Sequence, residues 1–255
     1  MADLVYPPVI TAARVMFATL GLKFTITGTE NVPRHGGAVM AINHTGYLDF
    51  TFAGYAVVPA HRLVRFMAKD AIFRHPVSGP FMRGMKHIPV DREAGAASLA
   101  AAVSALRRGE IVGVFPEATM SPSGELLPFK QGAVRMATEA GVPILPTVIW
   151  GSQRVLTYDR RKKLTKRPVA ITVTVGEPLV LTAEDGIAGG TRRLREVMTA
   201  MLHHAQETYP DRPSGPDDRW WLPSRLGGTA MTPEEGMAYV NARRKKAAAA
   251  GEPTG

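Results

Sequence analysis

The apolar run "GAVMAI" (37–42) ends in Asn43 and His44, and Asp49 follows five residues after the histidine. A carboxylate hydrogen-bonded to one imidazole nitrogen fixes the tautomer and leaves the other nitrogen as a base. If the apolar run is a strand and the next segment a helix, the turn between them lets Asp49 reach back to His44. The unpaired backbone N–H groups at the helix start then lie beside the pair, where they could steady a developing oxyanion. The same spacing also suits a histidine that only caps the helix, so the pair alone leaves both readings open.

Two further stretches carry complementary groups. "GMKHIPVDR" ends in Asp91 and Arg92. At the carboxyl edge of an α/β sheet, where ligands bind, Arg92 could grip a phosphate through two parallel hydrogen bonds, or it could pair with Asp91 or Glu93 at the surface. "VGVFPEATMSPSGELLPFKQGA" puts Glu117 and Thr119 in the turn after an apolar strand, with Lys130 just before the next helix. A carboxylate, hydroxyls and a lysine suit a polyol phosphate; an ordinary loop is the alternative.

The elements that must position these groups read as alternating strand and helix. "KFTITG", "GAVMAIN", "LVRFMAK", "KHIPVD", "IVGVFPE", "PILPTVIW" and "VAITVTVGEPL" have the length and apolar character of strands. "YLDFTFAGYAVV", "GAASLAAAVSALRRG", "QGAVRMATEAG" and "TRRLREVMTAMLHHAQETY" are helical, two of them closed by glycine, and "AIFRHPVSGPFMRGM" is a short helical region broken by proline. The fold class is therefore α/β, a largely parallel mixed sheet flanked by helices. Residues 1–21 form an amphipathic helix, with Val9, Ile10, Ala13, Met16, Phe17 and Leu20 at helical spacing. That stripe fits packing on the core or lying in a membrane surface. Residues 22–210 make the main domain. Residues 211–255, rich in Pro, Gly and charge, read as an irregular wrap ending in a mobile tail.

Bulk composition narrows the partners. With 31 Lys and Arg against 22 Asp and Glu, the chain carries a formal +9, which favours anionic partners. Two runs concentrate it, "RRKKLTKR" (160–167) and "RRKK" (243–246). The basic residues are not interleaved with aromatics and no RNP, KH or helix-turn-helix signature occurs, so nucleic acid is not expected as a partner. Cysteine is absent, which removes thiol nucleophiles, thiolate metal sites and disulfides, and fits a reducing compartment. No HExxH occurs, and His203 and His204 read as partly solvated helix residues without an acidic partner at ligand spacing, so no metal is expected. No uninterrupted apolar stretch of about eighteen residues predicts a membrane span, and no secretory signal is expected.

In their order and spacing the motifs resemble the glycerolipid acyltransferase family, whose members include 1-acylglycerol-3-phosphate acyltransferases. "NHTGYLD" is similar to that family's NHxxxxD motif, "GMKHIPVDR" to its second block, "FPEATMS" to the third, usually FPEGTRS, and "VPILPTVIW" to the fourth. The resemblance spans roughly residues 22–180. It implies that His44 is the general base for the acceptor hydroxyl and that Asp49 orients it. The alkoxide then attacks the thioester of an acyl-CoA or acyl-carrier protein directly, with no acyl-enzyme and no cofactor. The implied acceptor is lysophosphatidate and the product phosphatidate. By the same resemblance Arg92 is a phosphate ligand, Glu117 and Thr119 belong to acceptor binding, and Lys69 stands near the acceptor phosphate; Lys130 is added on charge and placement. Ala118 and Met120 depart from the usual Gly and Arg. Either Lys69, Arg92 and Lys130 compensate, or the acceptor is another phospholipid or a glycolipid such as a phosphatidylinositol mannoside, since the "PEAT" form resembles an actinobacterial branch. Long-chain substrates imply peripheral attachment at the cytoplasmic face of the cell membrane. A catalytically silent lipid-binding protein of the same fold and a hydrolase using the same pair on water are the remaining alternatives.

Overall fold

Apolar runs bounded by turns become the central strands here because helices cover both faces of the sheet, and polar alternation survives in the edge strand Leu22–Thr27. The computed structural model describes residues 3–91, 95–158, 168–182 and 184–249. In chain order its elements are α1 (Tyr6–Leu20), β1 (Leu22–Thr27), β2 (Ala38–Ile42), α2 (Asp49–Ala56), β3 (Val64–Lys69), α3 (Asp70–Arg74), α4 (Ser78–Gly84), β4 (Ile88–Val90), α5 (Gly95–Arg107), β5 (Ile111–Val114), α6 (Gly132–Ala140), β6 (Ile144–Trp150), β7 (Val169–Val175), α7 (Gly186–Glu207) and α8 (Pro233–Ala249). The strands form one seven-stranded sheet in the order β1-β7-β6-β2-β5-β3-β4, as the mixed α/β expectation required.

The central strand shows how sequence becomes packing. In β2, Ala38, Met40 and Ile42 enter one core cluster with Phe17 of α1 and Phe52, Ala53 and Ala56 of α2. Val39 and Ala41 enter the other, with Ala102, Ala105 and Leu106 of α5, Ala133 and Met136 of α6, and Leu194, Met198 and Leu202 of α7. Alternate residues of a strand point to opposite faces, so every β2 residue is buried, and each face has its own helical cover.

The topology also gathers the chemistry. β2 pairs in parallel with β5 and β6, β3 with β5, and β4 with β3. The carboxyl ends of these five strands therefore lie along one edge of the sheet. His44 follows β2, Lys69 ends β3, Asp91 follows β4, Glu117 and Thr119 follow β5, and residues 151–158 follow β6. Among the described strands β6 and β7 pair antiparallel, and β7 then pairs parallel with β1.

One expectation changes and one open choice is decided. The stretch after Gly228 is not an irregular tail: Pro233–Ala249 is helical, and of "KKAAAAGEPTG" only residues 250–255 lie outside the described residues. Its start carries a reciprocal cap, in which the Thr232 N–H donates to Glu235 and the Glu235 N–H to the Thr232 hydroxyl, with proline in the first helical position. The N-terminal stripe is turned inward: Phe17 is buried, with Ala13, Met16 and Leu20 packed around the same core. The phenol of Tyr6 donates to the Val64 carbonyl, and Asp3 pairs with Arg65 and Lys86, so the start of α1 is fastened to the sheet.

Candidate active site

The turn between β2 and α2 is built by side chains that replace missing ladder partners. Asn43 is fully buried, and its amide both donates to the Ile149 carbonyl and accepts the Ile149 N–H, at 3.0 and 2.7 Å. A buried amide with its groups satisfied in this way extends the sheet by one residue in side-chain form. The next residue, His44, can then stand clear of the strand.

His44 is held from four directions. Its N–H donates to Glu117 Oε1 at 2.8 Å and its carbonyl accepts the Ser121 N–H at 2.7 Å. Its ring stacks on Phe115, with centroids 4.2 Å apart and planes 25° apart. Its Nδ1 lies 2.9 Å from Asp49 Oδ2. A carboxylate accepts only, so the proton sits on Nδ1 and Nε2 carries the lone pair. Among the described residues Nε2 has no hydrogen-bond partner, and the side chain is 22% exposed against 0% for Asp49.

Asp49 is fixed as firmly. The same Oδ2 accepts the N–H groups of Thr45 and Gly46 at 2.7 and 2.9 Å. These two main-chain donors therefore face the carboxylate, and the Tyr47 N–H donates to the Leu156 carbonyl, so none of the three, which precede α2, is turned to an oxyanion.

Glu117 and Thr119 part company. Thr119 is also buried, and its hydroxyl lies 3.3 Å from that of Tyr158. Glu117 is 2% exposed, with Oε1 on the His44 N–H and Oε2 on the Leu127 N–H, so it braces the turn from behind. Burial pushes its carboxyl up to about 8, against the pull of those two N–H donors; Asp49 adds to the rise and Arg195 opposes it. Both departures from the usual third motif have consequences. Ala118 sits at φ 57°, a left-handed conformation that suits glycine, and Met120 is buried. Lys69 is half-buried at the end of β3, in register with Val90. The Lys130 N–H donates to the Pro116 carbonyl at 2.7 Å, while its side chain is exposed. Arg92 and the 160–167 basic run lie outside the described residues.

The sequence profile described as acyltransferase matches residues 23–150, half of the chain, including every residue of this turn. The chain belongs to the acyltransferase family. A Bacillus subtilis 1-acyl-sn-glycerol-3-phosphate acyltransferase is 33% identical over 151 residues, covering 59% of this acyltransferase and 70% of the relative. One from Borreliella burgdorferi is 30% identical over 140 residues, 52% of this chain and 53% of its own. The crystal structure of the 1-acyl-sn-glycerophosphate acyltransferase from Thermotoga maritima superposes with a TM-score of 0.67 over 80% of this chain and 81% of its own, at 22% identity, which shows a shared fold.

The acyltransferase also has site residues that the motifs do not contain. After β6, Thr157 donates its hydroxyl to the Thr45 carbonyl at 2.9 Å, and Tyr158 meets Tyr47 edge-on at 5.8 Å as well as Thr119. The segment 156–158 thus joins the first motif to the third. The available signal was topological: these residues follow a strand parallel to β2, so they had to emerge at the same edge. His203 also has the partner it lacked in sequence, with Nε2 2.8 Å from Glu125. That pair tethers the loop after β5 to α7, and the half-buried His203 and exposed His204 match the partly solvated reading.

Proposed function

We propose that the protein transfers a fatty acyl chain from a thioester, acyl-CoA or acyl-carrier protein, to the free hydroxyl of 1-acylglycerol 3-phosphate, giving phosphatidate. One observation carries this reading: the His44 ring holds its Nδ1 proton on Asp49 and presents Nε2 without a partner among the described residues. Nε2 takes the proton of the acceptor hydroxyl as its oxygen attacks the thioester carbonyl. The tetrahedral intermediate collapses with loss of the thiolate, which recovers the proton from the imidazolium. The buried Asp49 carboxylate stabilises that imidazolium at 2.9 Å. A general base of this kind contributes roughly 100- to 10,000-fold. No acyl-enzyme is required, in keeping with a chain that has no cysteine.

The acceptor is supported by the names of the relatives and by the residues that the family resemblance gives to the acceptor phosphate, Lys69 and Arg92, with Lys130 added on charge. Peripheral attachment at the cytoplasmic face of the membrane fits the lipid substrates. No helix among the described residues is long and apolar enough to span a bilayer, and Leu4, Val15, Val77 and Phe81 are exposed.

The test is acyl transfer from labelled acyl-CoA to a panel of lysophosphatidate, glycerol 3-phosphate, lysophospholipid and glycolipid acceptors, with products read by mass spectrometry. His44→Ala and Asp49→Asn should each lose at least about 100-fold in kcat while melting near the wild type. The asparagine oxygen can still accept the Thr45 and Gly46 N–H groups. Near-wild-type turnover in His44→Ala refutes the mechanism, and preference for another acceptor refutes the substrate.

A further inference from the structure

α8 lies beyond the 23–150 stretch shared with the family, yet it packs on the loop that follows Thr119. A Cβ on Gly236 would stand 3.3 Å from both Pro122 and Ser123, so the helix backbone rests against them, and Val240 is buried. This seats Arg243 with its guanidinium carbon 4.3 Å from the centre of the Tyr158 ring. Nη1 donates to the Tyr239 hydroxyl at 3.1 Å. Tyr158 is the residue that meets Thr119 and Tyr47. The guanidinium therefore stands one aromatic ring away from two motifs of the site.

A guanidinium lying on an aromatic face is attracted by the ring and keeps its N–H donors in a rigid plane suited to phosphate oxygens. Arg244, Lys245 and Lys246 follow within the same turn and raise the positive potential around it. Within the third motif itself no such charge is supplied, because Met120 stands where the motif usually has arginine. We propose that Arg243, with Tyr158 as its platform, binds a phosphate monoester of the substrate at the rim of the His44–Asp49 site. The inference rests on the acyl-transfer reading above. Two substrate groups have this chemistry, the acceptor phosphate and the 3′-phosphate of a CoA donor.

Equilibrium binding by the full chain separates the possibilities. Dissociation constants are measured by calorimetry for wild type, Arg243→Met and Arg243→Lys, with short-chain, monomeric ligands in matched pairs. One pair is lysophosphatidate and monoacylglycerol; the other is acyl-CoA and acyl-dephospho-CoA, which lacks only the 3′-phosphate. Arg243→Met should weaken one ligand that carries the monoester about tenfold, in the range of one charge-assisted hydrogen bond, and leave its counterpart without the monoester unchanged. Arg243→Lys should restore part of the loss. Selective weakening of lysophosphatidate assigns the acceptor phosphate, and selective weakening of acyl-CoA assigns the donor. Unchanged constants in both pairs, or equal weakening within each pair, overturn the inference whatever turnover shows. Arg243-dependent, charge-selective binding by a wild type that transfers no acyl group would overturn the proposed reaction and leave this site standing.

Discussion

Replacing Glu117 with glutamine should flatten the pH dependence of stability between about pH 6 and 8. The carboxyl is buried beneath the His44 turn and is pushed from an ordinary 4.5 to about 8, chiefly by loss of water around its charge. In the unfolded chain it ionises near 4.5. Between the two values the folded protein holds a proton that the unfolded chain has released, so stability falls as pH rises. The contribution is complete below about pH 4.5 and gone above about 8. At roughly 1.4 kcal/mol per pH step the whole window amounts to about 5 kcal/mol, and the part between pH 6 and 8 to about 2 kcal/mol. For a chain of this size that corresponds to about 4–8 °C in Tm. Glutamine keeps the volume but offers one oxygen to two N–H donors, those of His44 and Leu127. The lost hydrogen bond therefore lowers the variant by a constant term of roughly 1–3 kcal/mol, and the pH dependence of the difference between the two proteins comes from the wild type alone.

The assay is calorimetric melting of both proteins across that range in buffers of matched ionic strength, with the difference between the two curves as the readout. Other titrating groups contribute equally to both proteins and cancel. A difference independent of pH would refute the argument, since it would mean that Glu117 is already ionised in the folded state at pH 6.

His87 should produce the opposite slope at lower pH. Burial, with Arg65 nearby, depresses its imidazole from 6.5 to about 4, and its Nδ1 accepts the Phe66 N–H. The unfolded chain binds the proton first, so this contribution is present above pH 6.5 and is lost as pH falls towards 4. It is worth up to about 3 kcal/mol, and His87→Gln should remove that acid sensitivity in the same melts. Ala118→Gly should raise Tm, since alanine at φ 57° carries a left-handed penalty of about 1–2 kcal/mol, partly offset by the greater freedom of glycine in the unfolded chain; a lowered Tm would refute the strain.

The fold was legible because periodicity and topology agree. Strand-helix alternation implied parallel strands, and parallel strands deliver their carboxyl ends to one edge, so Lys69, Thr119 and the His44–Asp49 pair had to converge there. α8 escaped because it lacks the apolar stripe by which helices are usually found; only Gly236 and Val240 are buried. Its start was nevertheless written in the sequence as Thr232-Pro233-Glu234-Glu235, a cap that needs no hydrophobic face. The N-terminal stripe was seen correctly, but spacing alone cannot say whether a core or a bilayer covers it. Here Phe24, Phe52 and Tyr55 do so at Phe17.

What could not be read is which way Glu117 faces, and the reason is physical. Its partners are main-chain N–H groups, which every residue except proline carries, so no residue type in the sequence marks them. Yet this hidden contact belongs to the set that decides whether the visible pair can act. The loop from Glu117 to Leu127 fixes the His44 N–H and carbonyl, and is itself fastened to α7 by Arg195 on the Leu126 carbonyl, Gln206 on the Gly124 carbonyl and His203 on Glu125. A base useful in acyl transfer must meet a hydroxyl within a few tenths of an ångström of the right position. Asp49 can set the tautomer and tilt of the ring but not the place of the backbone that carries it. That place is set by the third motif, so the Glu117 carboxyl can be indispensable to catalysis without meeting the substrate.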